Sequence, residues 1–195
     1  MATNPEDGLC TNSVYGAMPD WDVSNVTDMQ QAFFNKEDFN ADISGWNVSN
    51  VSFMRAMFYG ARSFNQNITG WNTANVTSMD VMFYDALDFN QPIGDWDTSS
   101  ATDMASMFNN ATAFNQPIGN WDVSSVTDMS IMFSGASDFN QDLSGWCVTN
   151  ITSEPSDFSG GSPLSESNKP VWGTCPTARV DDQNQLDISI YPNPS

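Results

Sequence analysis

The chain has 195 residues, 39% of them apolar and 12% aromatic, which suffices for one continuous core and is too much for a disordered segment. Five basic residues stand against twenty-four acidic ones, for a formal charge of -19, and there is no histidine. Such a field repels phosphate backbones and anionic lipid heads, and no apolar run approaches the roughly twenty residues of a spanning helix, so nucleic acid and membrane insertion are excluded as partners.

Cations, or a basic or neutral protein or glycan surface, remain. Twenty of the acids are Asp, the residue that caps helices and closes turns, so most of the charge reads as structural punctuation.

Residues 1–13 are polar and irregular and read as the remnant of an amino-terminal cap, with Met1-Ala2-Thr3 opening as a fragment boundary would. From residue 14 to 153 the text repeats: tryptophan stands at 21, 46, 71, 96, 121 and 146, always twenty-five residues apart. A constant period of that length marks a stacked-repeat protein, in which each unit buries its apolar face against its neighbours. The tryptophan column (Trp21, Trp46, Trp71, Trp96, Trp121, Trp146) is therefore assigned to the core.

Within a unit, Trp46 and Val48 flank polar Asn47, the period-two signal of a short half-buried strand. Met54, Met57, Phe58 and Ala61 then fall at i, i+3, i+4 and i+7, which predicts one face of a short helix. Thr27, Ser52, Thr77, Thr102 and Thr127 stand ahead of each such face and are expected to cap it. The unit returns through Phe-Asn-Gln at 64, 89, 114 and 139, which predicts a phenylalanine ladder with Asn bonding to the neighbouring coil.

After Trp146 the pattern decays. Glu154 replaces the helical methionine and Pro155 follows, so residues 154–180 read as a carboxy-terminal cap. Residues 181–195 are a polar linker followed by Leu186-Asp-Ile-Ser-Ile-Tyr-Pro-Asn-Pro, an alternating stretch like a first strand cut short. Of the three cysteines, Cys147 in the last coil and Cys175 in the cap form a disulfide in the economical reading, and two unpaired thiols in the alternative. A disulfide implies an oxidising compartment. Cys10 is left over.

Ile43-x-x-Trp46-x-Val48-x-x-Val51 matches the leucine-rich-repeat frame, and the unit from Phe114 to Phe133 resembles the BspA-like leucine-rich-repeat surface proteins with twenty-five-residue repeats. The stretch Tyr15-Gly-Ala-Met-Pro-Asp-Trp21 is similar to that family's entry to its first repeat. The resemblance implies a bacterial, secreted or cell-surface solenoid, many of whose relatives are adhesins or of unknown role. Ile188-Ser-Ile-Tyr-Pro-Asn-Pro-Ser195 resembles the opening of a type IX secretion C-terminal sorting domain, which implies export. The expected architecture is thus a right-handed α/β solenoid of leucine-rich-repeat type, with a short parallel sheet on one face and short helices on the other.

On that sheet, Asp22, Asn47, Asn72, Asp97 and Asp122 point outward, with Ser24, Ser49, Ser99 and Ser124 two residues on. This strip is the candidate binding face for an extracellular protein or glycan; the alternative is a merely solvated surface. Asp97 and Asp122 either share a hard cation such as calcium or repel each other, and neither the EF-hand nor the Gly-rich calcium repeat is present. No other cofactor is expected.

Without histidine there is no Ser-His-Asp or Cys-His centre. A carboxylate pair for glycoside hydrolysis would be a by-product of the ladder, and no residue stands out as singular, so no enzyme is expected. Ice binding by the hydroxyl columns and a passive spacer between other domains are the remaining alternatives. The Asn-Val-Thr triplets at 25 and 75 fit a glycosylation acceptor but belong to the repeat.

Overall fold

A computed structural model describes residues 18–176. The expectations for residues 1–13, for Cys10, for the approach from Tyr15 and for the sorting-domain opening at 181–195 fall wholly or largely outside them. Successive coils stack in register, because backbone amides bond to carbonyls twenty-four to twenty-six residues away. Examples are Met54 to Ser78, Thr77 to Ser52 and Ala113 to Leu87.

The coils are not built from strands and helices. Among the described residues, helix is limited to two single 3-10 turns, Met18–Asp20 and Glu166–Asn168. Parallel pairing is limited to isolated bridges running Asp28, Phe53, Ser78, Asp103, Asp128. The expected α/β solenoid with a sheet on one face and helices on the other is thus overturned.

The strand fails for a local reason. The alternation is real, with Trp46 and Val48 buried and Asn47 exposed. The backbone beside it is spent on turns: Trp46 N–H donates to the Ile43 carbonyl and Val51 N–H to that of Val48. Too few extended residues separate the two turns to make a ladder. Pairing occurs instead at Asp28 and its successors, where the helix was expected to start.

The helix fails although its buried face is where it was predicted, Met54, Met57, Phe58 and Ala61 being fully enclosed. Amides of Met54, Ala56, Phe58 and Gly60 leave the coil for the carbonyls of Ser78, Asp80, Met82 and Tyr84. The intervening amides of Met57, Tyr59 and Ala61 bond three residues back. A short helix would keep every bond to itself and be marginal alone; this alternation gives half of them to the next coil.

Its cost is left-handed backbone at two columns. One holds Asn35, Gly60, Asp85, Asn110 and Gly135, residue types that accept positive φ. The other holds Gln31, Ala56, Val81, Ser106 and Ile131, which do not, with φ between 50° and 61°. The hydroxyl column is not a set of helix caps either. Thr77, Thr102 and Thr127 donate their Oγ1 to the carbonyls of Ser52, Thr77 and Thr102, one coil back.

Inside the coils run two phenylalanine ladders. Phe39, Phe64, Phe89, Phe114 and Phe139 stack at 5.7 to 6.0 Å between ring centres. Phe33, Phe58, Phe83, Phe108 and Phe133 run alongside at 5.4 to 5.7 Å. Trp46, Trp71, Trp96, Trp121 and Trp146 are buried, and each indole N–H reaches the carbonyl twenty-eight residues back, from Met18 to Ile118. Trp21, half buried, has no such partner among the described residues. Asn40, Asn65, Asn90 and Asn115 each accept the backbone N–H of the next Asn in the column and the side-chain amide of the Gln after it.

The stack ends in the segment around 154–176. Ile131 now bonds to Ser156, twenty-five residues on instead of twenty-four, so the last coil is one residue longer around Pro155. Phe158 turns edge-on to Phe133, at 88°, and meets Trp172 at 83°, which terminates the ladder. Cys147 is disulfide-bonded to Cys175, and Lys169 bridges Glu154 and Glu166 at 2.7 Å.

Candidate functional site

The candidate strip lies on a row of turns instead of a sheet. Asp22, Asn47, Asn72, Asp97 and Asp122 are exposed, one per coil. Each turns its Oδ1 back onto the chain and accepts the amide two residues on, at Ser24, Ser49, Ala74, Ser99 and Ser124, over 3.0 to 3.2 Å. Ser99 and Ser124 add their hydroxyls at 2.6 Å. Asp and Asn recur here because a short polar side chain that closes its own turn suits the bend.

This closure sets the electrostatics. The carboxyls of Asp22, Asp97 and Asp122 are held below the ordinary carboxylate range, by the Ser hydroxyl first and the Ser amide second. Repulsion from Asp97 acts on Asp122 in the opposite sense and is the smallest of its influences. Asp42 and Asp142 repeat the device with Ser44 and Ser144. The three carboxylates of the row, Asp22, Asp97 and Asp122, stay ionised, each closing its turn through one oxygen, and the amides of Asn47 and Asn72 close theirs without charge.

None of the ion pairs found among the described residues involves the row. Arg55 pairs with Asp80 at 2.6 Å, Arg62 with Glu37 at 3.9 Å and Lys169 with Glu154 and Glu166. Asp97 and Asp122 bring no third ligand with them. Among the described residues no three His, Cys, Asp or Glu side chains are grouped to hold a metal ion. Among them, too, no helix is long and apolar enough to cross a membrane.

A second row escaped the sequence reading. Phe34, Tyr59 and Tyr84 share a column in the long turn segment of each coil, and their rings stack at 4.8 and 4.5 Å. The signal was present, since 34, 59 and 84 keep the period. It is hidden because the column changes to Asn109 and Ser134. Phe34 is 38% exposed, and Phe53, at the start of the next coil's turn segment, is 44% exposed.

Nearby, Asp103 has its carboxyl pushed above the usual range, chiefly by burial, against an opposing bond from the Ala105 amide and with added repulsion from Asp80 and Asp128.

Stacked coils joined by backbone bonds, with side-chain columns repeating on every face, define a repeat protein that presents long rows of like groups. A family model described as "Mycoplasma protein of unknown function, DUF285" matches residues 9–108 and again 68–172, and the chain belongs to that family. No curated protein and no solved structure matches it.

Proposed function

We propose that the protein is an exported, non-enzymatic recognition module of the cell surface or its surroundings, which binds the basic surface of a protein, or a glycan, through the row Asp22, Asn47, Asn72, Asp97 and Asp122. The observation that carries this reading is the state of the row: exposed, fixed by its own turns, ionised at Asp22, Asp97 and Asp122, and outside the ion pairs found among the described residues. A rigid anionic strip attracts cationic partners and repels anionic ones. The repeat's resemblance to BspA-like surface proteins supports export, as does the Cys147–Cys175 disulfide.

A regular ladder offers no singular reactive group, which favours binding over catalysis. The spacer reading draws on the unbroken stack from coil to coil.

An array of extracellular-matrix proteins and glycans tests the proposal. Basic members should bind, binding should weaken as salt rises, and Asp97→Asn with Asp122→Asn should weaken it further. Retention of nothing, or retention indifferent to both salt and the double variant, overturns it.

A further inference from the structure

We propose that the stacked column Phe34, Tyr59, Tyr84 is a docking strip for a basic peptide segment that carries apolar side chains. The proposal rests on the reading of the protein as a binder of cationic partners and names a second face on which such a partner is held.

Three observations point to this occupant. The first is exposure: Phe34, which begins the column, is one of the three large hydrophobic side chains left exposed among the described residues, and Phe53, in the turn segment that also carries Tyr59, is another. Exposed aromatic side chains are among the groups that most often dominate protein contacts.

The second is ring geometry. Interplanar angles of 22° and 7° mean that Tyr59 is covered on both faces and that Phe34 and Tyr84 are each covered on the face toward it, so four of the six ring faces are closed. Stacking of a sugar and capture of a cation both need an open face, whereas a row of ring edges and hydroxyls suits aliphatic side chains and peptide backbone. That favours a polypeptide over a glycan at this strip.

The third is charge. Asp85 follows Tyr84 and acts on it, and Asp80, Asp103 and Asp128, in the same turn segments of the coils, lie close enough to act on one another, with Arg55 paired to Asp80. Asp103 is repelled by both of its acidic neighbours, and a lysine or arginine of the partner would relieve that repulsion. The strip ends on its carboxy-terminal side, where the column becomes Asn109 and Ser134 in the next two coils, and among the described residues it spans three coils.

The test compares two labelled peptides of equal length and charge, one alternating lysine with leucine and one alternating lysine with serine, by fluorescence anisotropy on the full chain. The lysine–leucine peptide should bind about tenfold more tightly. Tyr59→Asn with Tyr84→Asn, which copies the residue the chain itself uses at 109, should erase that preference and leave lysine–serine binding unchanged. Phe34→Ser, at an exposed position, should reduce the preference and serves if the double variant folds poorly.

Asp97→Asn with Asp122→Asn should weaken both peptides alike. If neither peptide binds, the cationic-partner reading fails. If both bind equally, or if the aromatic variants keep the preference, the docking strip fails while that reading stands. Displacement of the lysine–leucine peptide by a neutral oligosaccharide would also overturn the peptide assignment.

Discussion

Asp97 and Trp96 are adjacent in sequence and show the two uses of a column. Trp96 is 3% exposed and donates its indole N–H to Ile68 at 3.1 Å, joining two coils while filling the core. Trp96→Ala should cost about 3 to 5 kcal/mol in urea unfolding, and Trp96→Phe, which keeps most of the volume and removes the donor, should cost less. Asp97 acts on its own turn.

Its lowered carboxyl means that its contribution to stability is present above the ordinary carboxylate range and is lost as pH falls through the lowered folded value. Ser99→Ala should therefore bring the Asp97 titration, followed by carboxyl-carbon NMR, back up toward the ordinary range. Asp103 has the opposite sign. Its carboxyl is raised by burial first, so its ionised form at neutral pH opposes folding, and the favourable state is the protonated one at lower pH. Asp103→Asn keeps an oxygen for the Ala105 amide and should raise the melting temperature at pH 7. The gain should fade as pH is lowered into the range where Asp103 itself protonates.

At the scale of the turn segment, what holds the coil together is the alternation between amides that stay within it and amides that leave it. That scheme needs left-handed backbone at residues 81 and 85, and Val81 meets the need badly because its branched side chain crowds the following carbonyl. Val81→Asn should stabilise the protein by about 1 kcal/mol by denaturant titration, because Asn tolerates this conformation and the side chain is only half buried. Gly119 gives the converse case. A Cβ there would lie 2.5 Å from the Asp142 carbonyl oxygen of the next coil, so Gly119→Ala should force neighbouring coils apart and lower the melting temperature.

The same segment shows what the sequence could and could not tell. Side-chain columns depend on period, so the buried Trp, Met and Phe columns were legible from spacing alone. Backbone bonding was not. A face at i, i+3, i+4 and i+7 is what a helix makes, and it is also what consecutive three-residue turns make when left-handed residues separate them. The Asn35, Gly60, Asp85, Asn110, Gly135 column was the available sign, since these types cluster where φ is positive. Likewise Asp22, Asn47, Asn72, Asp97 and Asp122 were found as an outward row by alternation, while their turn-closing role depended on the bend at Ser24 and its successors.

Over the whole molecule, stability is a chain of nearest-neighbour contacts, so the ends are the weak points and need covering. At the carboxy-terminal end the cover is the segment that carries Trp172 over Phe158, fastened by amides from Leu143 to Asn168 and from Val148 to Thr174 and by the Cys147–Cys175 disulfide. The bridge spans 28 residues of sequence, and in the chain-entropy model closing such a loop in the unfolded state is worth about 3 to 4 kcal/mol. Cys175→Ala should therefore lower the midpoint of urea unfolding by an amount of that order. The wild-type protein held in reductant should fall to the same midpoint, and the variant should not respond to reductant.

Because the loss falls at one end of a stack, hydrogen exchange should rise first at the Val148, Gly173 and Thr174 amides, with the Phe83 and Phe108 amides of the middle coils still protected. Equal deprotection along the rod would mean that the coils unfold as one unit and that the cap has no separate stability to lose.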